Sequence, residues 1–331
     1  MLIGKDKTVA IVTGANAGIG YGICKRLLES VEDLVLIMAC RNPTRAKEAK
    51  DSLLMEFPNA HIDIELVDVA KVKTVFSFCR TIQAKYSHIN YLFCNAGILS
   101  SSGLNWKRII CMAFTDIVGL MEHADATIQT VGEMSEDGMG LVFEANVFGH
   151  YVMMREFEDL LDKSGDGRIL WTSSITSSKE TFNIEDWQGI KNLEPYESSK
   201  WATDLMSILV SERYEQQDKK VTSYITSPGV VASGIAGLPS WVVTARIMCH
   251  HILRFCGVTS QTVSAHNGSI SNIYVALQTN LSYLNRYCSC TDRWGNPFVE
   301  ARSIPDYDPI TAEKLTQKCE VAYQAFKKNS I

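Results

Sequence analysis

The stretch Thr8-Val-Ala-Ile-Val-Thr-Gly14-Ala-Asn-Ala-Gly18-Ile-Gly20 decides how this chain reads. Thr8 to Thr13 is a short β-branched run of the kind that forms a strand buried on both faces. Three glycines follow in a G-x-x-x-G-x-G spacing, and from Tyr21 to Leu28 apolar residues recur at helical intervals. Strand, glycine loop and helix together present backbone N–H groups and a positive helix end to a pyrophosphate. Glycine serves there because a Cβ would block the approach and forbid the dihedrals of the turn. Three glycines alone would suit any tight strand-to-helix turn; a dinucleotide site requires a second half of the fold downstream.

That second half follows. Leu34–Cys40 reads as a strand, Pro43 to about Phe57 as a polar helix, His61–Val67 as a strand ending at Asp68-Val69, and Val72–Tyr86 as a helix. Ile89–Cys94 is a fourth strand closed by Asn95-Ala96-Gly97. Such alternation implies parallel strands with right-handed crossovers, hence an α/β fold: a Rossmann-like doubly wound parallel sheet with helices on both faces. Residues 100–134 lack clean periodicity and read as an insertion after the fourth strand, on the ligand side of the sheet or as an extension of its core. A helix from about Ser135 to Leu161 carries Asn146; Arg168–Thr172 is a fifth strand ending at Ser173-Ser174. Pro195 opens a long helix to about Gln216, and Val221–Thr226 is a sixth strand leading to Pro228-Gly229. The chain is expected to be one domain over 1–331. Its parts are a nucleotide-binding and catalytic core at 7–233, an amphipathic lid segment at 234–258 and a C-terminal extension at 259–331.

At 331 residues and 46% hydrophobic the chain can bury a large core. Its net charge of −5, without a basic run, disfavours nucleic acid as a partner. Ten scattered cysteines form no C-x-x-C pair and no Cys/His cluster at zinc spacing, so no metal site is expected and a reducing compartment is. Lys7 passes straight into the first strand, leaving no room ahead of it for a signal peptide, and no window reaches the roughly 18–20 apolar residues of a membrane span.

Tyr196 and Lys200, at i and i+4, share one helix face. A free tyrosine titrates near ~10, and a neighbouring ammonium is expected to lower that value. Such a tyrosine can pass a proton to a carbonyl oxygen as hydride reaches the carbon. Ser174 ends the fifth strand, where open α/β sheets bind ligands, and is placed to hydrogen-bond the same oxygen; Ser173 beside it is the other choice. An isolated helical Tyr/Lys pair is commonplace, but its coincidence with the glycine loop and a strand-end Ser-Ser is not.

With these motifs the sequence resembles the short-chain dehydrogenase/reductase family from about Thr8 to Ser233. The resemblance implies Tyr196 as acid/base, Lys200 lowering its pKa and binding the nicotinamide ribose, Ser174 orienting the carbonyl, and Asn146 holding a water of the proton relay. It also implies a cofactor held by Gly14, Asn16, Gly18, Ile19, Gly20, Asp68, Val69, Asn95, Ala96, Gly97, Pro228, Gly229, Val231 and Ser233. NAD-specific sites carry an acid at the end of the second strand; here Cys40-Arg41-Asn42 stands instead, and a guanidinium grips a 2′-phosphate, so the cofactor expected is NADPH. The stretches 137–149, Leu170–Ser174 and Ser289–Phe298 resemble the 3-keto-sterol reductases of sterol C4-demethylation. That implies reduction of a sterol ketone to the 3β-alcohol, with other enzymes of that sequence as partners and activity on further steroid ketones as an alternative; an NADPH-binding scaffold of a sterol-enzyme complex is another.

Within 234–258, Arg246, His250 and Arg254 fall at i, i+4 and i+8, while Trp241, Val242, Ile247, Met248, Ile252 and Phe255 spread over the rest of the helix. Two readings fit: a lid on the sterol pocket, or a helix lying in a membrane interface with its cations toward anionic headgroups. The second implies a peripheral enzyme on the cytosolic face of the endoplasmic reticulum membrane or on lipid droplets.

Overall fold

The computed structural model describes residues 7–123, 126–231 and 240–330. The first strand, β1 (Thr8–Thr13), is buried but for its first residue, and β2 (Leu34–Cys40) is buried throughout, as their unbroken apolar runs require. Helix α1 (Gly18–Ser30) follows β1 and α2 (Pro43–Glu56) follows β2, with Pro43 at its first turn and the Asn42 side chain accepting from Arg45 N. Strand β3 (His61–Leu66) is half-exposed and pairs only with β2, which makes it an edge. Helix α3 (Val72–Lys85) leads to β4 (Tyr91–Cys94), which pairs with β1 in parallel.

Residues 100–134 fold into elements that the sequence pattern did not show. A small hairpin of β5 (Ser101–Leu104) and β6 (Thr127–Gln129) brackets helices α4 (Trp106–Thr115) and α5 (Ile117–Glu122). The next helix starts later than its expected onset near Ser135, because residues 135–140 close a tight turn in which Gly138 has a φ of 76° and Met139 O accepts from Ser135 N. Helix α6 (Leu141–Phe143) widens into a π-helical turn (Glu144–Phe148) and continues as α7 (Gly149–Asp162). A Cβ on Gly149 would lie 2.1 Å from Val69 O, so only glycine lets the helix approach the loop after β3.

Strand β7 (Gly167–Thr172), helix α8 (Pro195–Gln216) and β8 (Val221–Ser227) complete the expected alternation. The chain then adds α9 (Ser240–Phe255), α10 (Ala265–Gly268), α11 (Ile270–Leu277), β9 (Asn285–Thr291), β10 (Pro297–Ser303) and α12 (Pro309–Ser330). The sheet therefore has eight strands in the order β3-β2-β1-β4-β7-β8-β9-β10, parallel except for β10. Strand order reverses between β1 and β4, and the crevice at their carboxyl ends is where such sheets take a ligand. One apolar cluster packs α3, α7, α8 and α12 on one face; the other packs α1, α2 and α11 on the opposite face. Helix α12 is fixed over the first face by buried Leu315 and Cys319 and by a bond from Tyr151 Oη to Glu320 at 2.6 Å.

Candidate active site

A cavity of about 780 Å³ runs along the carboxyl ends of β1, β4, β7 and β8. Its floor is the glycine loop, and each glycine there answers a different need. A Cβ on Gly14 would meet Ala96, and one on Gly20 would lie 2.3 Å from Gly14 O, so these two allow close packing. Gly18 has a φ of 53°, and a Cβ there would meet nothing within 4 Å: the space before it is open. Helix α1 begins at this point with no acid in its first turn and no side chain capping its N–H groups. An uncapped helix start facing an open glycine turn fits a pyrophosphate.

Thr13, part of the glycine motif but not among the expected site residues, holds the loop to its neighbour. Its Oγ1 donates to Phe93 O at 3.0 Å and accepts from Asn95 N and Ala96 N, both at 2.9 Å. Asn95 Nδ2 donates in turn to Thr13 O at 2.9 Å. Asn16, Ile19, Val69, Ala96, Gly97, Pro228, Gly229 and Val231 all line the cavity; Gly20 lies beneath it, and Ser233 falls outside the described residues. At one rim stand Arg41, Arg45 and Asp68, with Arg41 Nη1 3.9 Å from Asp68 Oδ2.

The π-helical turn carries Asn146, a place where such turns recur at working sites. Its Oδ1 accepts from Ile98 N at 2.7 Å, and its Nδ2 donates to Ile98 O at 3.1 Å and to Ser199 Oγ at 2.9 Å. Asn146 thus stands behind Gly97, where a Cβ would lie 2.8 Å from Oδ1, and does not itself line the cavity.

Tyr196 and Lys200 do share the inner face of α8. Lys200 is buried, its Nζ donating to Thr172 O at 2.8 Å and lying 5.4 Å from the centre of the Tyr196 ring. Burial pulls the ammonium down to about 8, against a pull upward from Asp204. The Tyr196 phenol departs from the expected lowering: burial, with the Glu197 charge, pushes it up to about 12, and a hydrogen bond with Ser174 only partly opposes this. Burial decides the direction here, so the phenol holds its proton at neutral pH. Of the two serines, Ser174 bonds Tyr196 and stands 2.9 Å from Thr176 Oγ1 at the cavity. Ser173 also reaches the cavity wall, but its hydroxyl is buried without a hydrogen-bond partner among the described residues.

The other wall comes from the insertion: Leu104, Ile109, Leu120 and Met121, with Ile98 and Leu99 beside them. The hairpin also reaches the catalytic helix, since Gln129 Oε1 accepts from Tyr196 N at 3.0 Å and Gln129 Nε2 donates to Glu197 at 2.6 Å. Nothing local in the sequence marks Gln129, because its role depends on a fold that brings it 67 residues back. Glu122 and Arg246 also line the cavity and were not singled out as site residues. Of the 234–258 segment, residues 234–239 lie outside the described residues, as do the side chains of Trp241 and Val242.

A floor for pyrophosphate, a phenol and serine at one carbonyl-sized point and an apolar wall opposite are the parts of a carbonyl reductase. Comparison with known proteins agrees. The rat protein named 3-keto-steroid reductase/17-beta-hydroxysteroid dehydrogenase 7 is 34% identical over 315 residues, 93% of each chain. The 3-keto-steroid reductase of Yarrowia lipolytica is 30% identical, covering 91% of this chain and 90% of that one. The NADPH-bound structure of a short chain oxidoreductase from Pseudomonas aeruginosa shares the fold, with a TM-score of 0.57 at 16% identity over 83% of this chain and 91% of that one. The short chain dehydrogenase family model matches residues 8–238, and the chain belongs to that family.

Proposed function

We propose that this protein reduces a 3-keto sterol to the 3β-hydroxy sterol with NADPH. The observation that carries the reading is one continuous cavity with the glycine loop and the Tyr196–Ser174 pair at its floor and aliphatic residues of the insertion as its wall. A cofactor needs the first and a carbonyl the second, while a fused-ring lipid needs apolar walls. The rat and yeast relatives, similar over nine-tenths of the chain, carry names that specify a 3-keto steroid. The rat name also specifies a 17-beta-hydroxysteroid, so a second steroid ketone is the alternative substrate.

The bound nicotinamide supplies the hydride. Tyr196, protonated at neutral pH, gives its proton to the carbonyl oxygen, and Ser174 hydrogen-bonds that oxygen as charge develops on it. Lys200 holds a positive charge beneath the ring, and Asn146 braces the turn at Ile98. Arg41, with Arg45 beside it, would take the 2′-phosphate that distinguishes NADPH. The test is oxidation of NADPH by purified protein with a 4-demethylated 3-keto sterol. Turnover with that sterol and not with a small ketone is expected; no turnover with any sterol ketone, despite cofactor binding, would overturn the reading.

We further propose that the enzyme works at a membrane surface, on the cytosolic side of the endoplasmic reticulum or on lipid droplets, since a sterol is a substrate delivered from lipid. The support is an inverted helix: in α9, Arg246 lines the cavity and His250 is wholly buried against Gln261, while Met248, Ile252 and Phe255 are exposed. Ile110 and Phe114 of α4 are exposed too, Phe114 to 89%, and neither helix contains an acid in a chain of net charge −5. No helix among the described residues is long and apolar enough to cross a membrane, and the attachment proposed is of these helices lying in the interface. Phe114→Glu with Ile252→Glu should move the protein from the membrane pellet to the soluble fraction; a wild-type protein already wholly in the soluble fraction would refute this.

A further inference from the structure

Beyond the Tyr196–Lys200 pair, α8 carries a third polar side chain in the same row, and it is a buried acid. Asp204, at i+8 from Tyr196 and i+4 from Lys200, is only 1% exposed. Two donors converge on one of its oxygens: Ser177 Oγ at 2.5 Å, from the loop just after Ser174, and Nη2 of Arg286, from β9 in the C-terminal extension. Its other oxygen, Oδ1, has no hydrogen-bond partner among the described residues. A carboxylate half-satisfied in the interior is costly, so it is kept for what its charge does nearby. The charge nearest in the helix is the Lys200 ammonium, since side chains four apart are neighbours at about 5–6 Å between Cβ atoms.

We propose that Asp204 is a positioning residue for proton transfer: its carboxylate keeps Lys200 charged beneath Tyr196, and Arg286 limits how strongly it does so. The inference rests on the reading of Tyr196 and Lys200 as the catalytic pair. The other groups facing Lys200 do not perform this role. His150, from α7, is pushed down to about 3 by burial and by Lys200 itself, and is therefore neutral. Tyr196 is neutral for the reason given above, and Glu197 is bonded to Gln129. From the sheet, Thr172 offers only its carbonyl. Among the described residues, Asp204 is the charged group that opposes the loss of the Lys200 proton caused by burial, beside the neutral Thr172 carbonyl. Arg286, from the C-terminal extension, therefore acts on the Lys200 charge through its contact with Asp204.

Opposite signs test this. Asp204→Asn removes the carboxylate and leaves the Arg286 cation, so Lys200 should lose its proton at lower pH, and the alkaline limb of kcat/KM should move down by about one pH unit, the low end of what a neighbouring charge does. Arg286→Gln leaves the carboxylate unopposed, so the limb should move up. The Lys200 midpoint, read by NMR of lysine-labelled protein without cofactor and assigned with Lys200→Arg, should move in the same two directions. A purely structural role would lower activity evenly across pH and leave both midpoints in place, and either midpoint unmoved in both variants would overturn the proposal. If Asp204→Asn does not fold, Arg286→Gln decides alone by the sign of its shift. Wild-type reduction in Tyr196→Phe would instead strike down the catalytic pair, a separate failure that leaves the NMR shifts intact.

Discussion

Arg41→Ala tests cofactor choice, and the size of its effect can be worked from the rim of the cavity. The Arg41 side chain is 73% exposed and sits 3.9 Å from Asp68 Oδ2, with Arg45 on the same rim. A hydrogen bond to a charged group contributes about 1.5–3 kcal/mol. An exposed guanidinium keeps much of its hydration, so the lower figure applies, and each ~1.4 kcal/mol is a factor of ten in Kd. Arg41→Ala should therefore weaken NADPH about tenfold and the double variant with Arg45→Ala about a hundredfold if the two act independently. Loss of Arg41 also leaves the Asp68 carboxylate without its nearest cation, which adds repulsion toward a 2′-phosphate. NADH carries no such phosphate and should bind nearly as before. Quenching of protein fluorescence by each dinucleotide gives both constants. Equal losses for NADPH and NADH would refute the assignment, since they would mean that Arg41 supports the loop rather than reading the phosphate.

Tyr196→Phe keeps the ring between Ser174 and Lys200 but removes the proton donor, so turnover should collapse while NADPH still binds; stopped-flow and equilibrium titration separate the two. Ser174→Ala should cost ~10²–10³ in kcat, the loss of one oxyanion donor, whereas Ser173→Ala, which removes a hydroxyl already without a partner, should leave kcat near wild type. Glu144 in the π-helical turn is fully buried, and burial, opposed by Ser135 and reinforced by Asp137, pushes its carboxyl from 4.5 up to about 8. The native state then holds that proton more tightly than the unfolded chain. Its contribution is fully present below about 4.5 and lost as pH rises through about 8. Urea unfolding of Glu144→Gln across that window should show a flatter stability profile than wild type; parallel profiles would contradict the shift.

What the sequence by itself determined is local in period. Thr8–Thr13 and Leu34–Cys40 are apolar without a break because both faces of a central parallel strand are covered, and the three glycines follow at the spacing that a strand-to-helix turn needs. Tyr196 and Lys200 share a face by helical arithmetic alone. That these strands form a parallel, doubly wound sheet followed from alternation and crossover handedness; their order was read only from the fold. Tertiary structure decided everything that depends on distant segments meeting. β9 and β10 extend the sheet through pairings such as Ile225 with Arg286, which no short window displays. Residues 100–134 did not read as regular elements because the pieces are short: β5, β6 and α5 span four, three and six residues, and no residue of α4 is fully buried. The direction of Tyr196 titration was misjudged from the sequence, since an i+4 ammonium is visible there and desolvation is not. Most plainly, the helical period of α9 identified the stripe of Arg246 and His250 but could not say which way it faces. The fold turns it inward, Arg246 to the cavity and His250 to Gln261 of the segment after α9, and leaves Ile252 and Phe255 outside, because those partners are set by tertiary packing and not by the helical period.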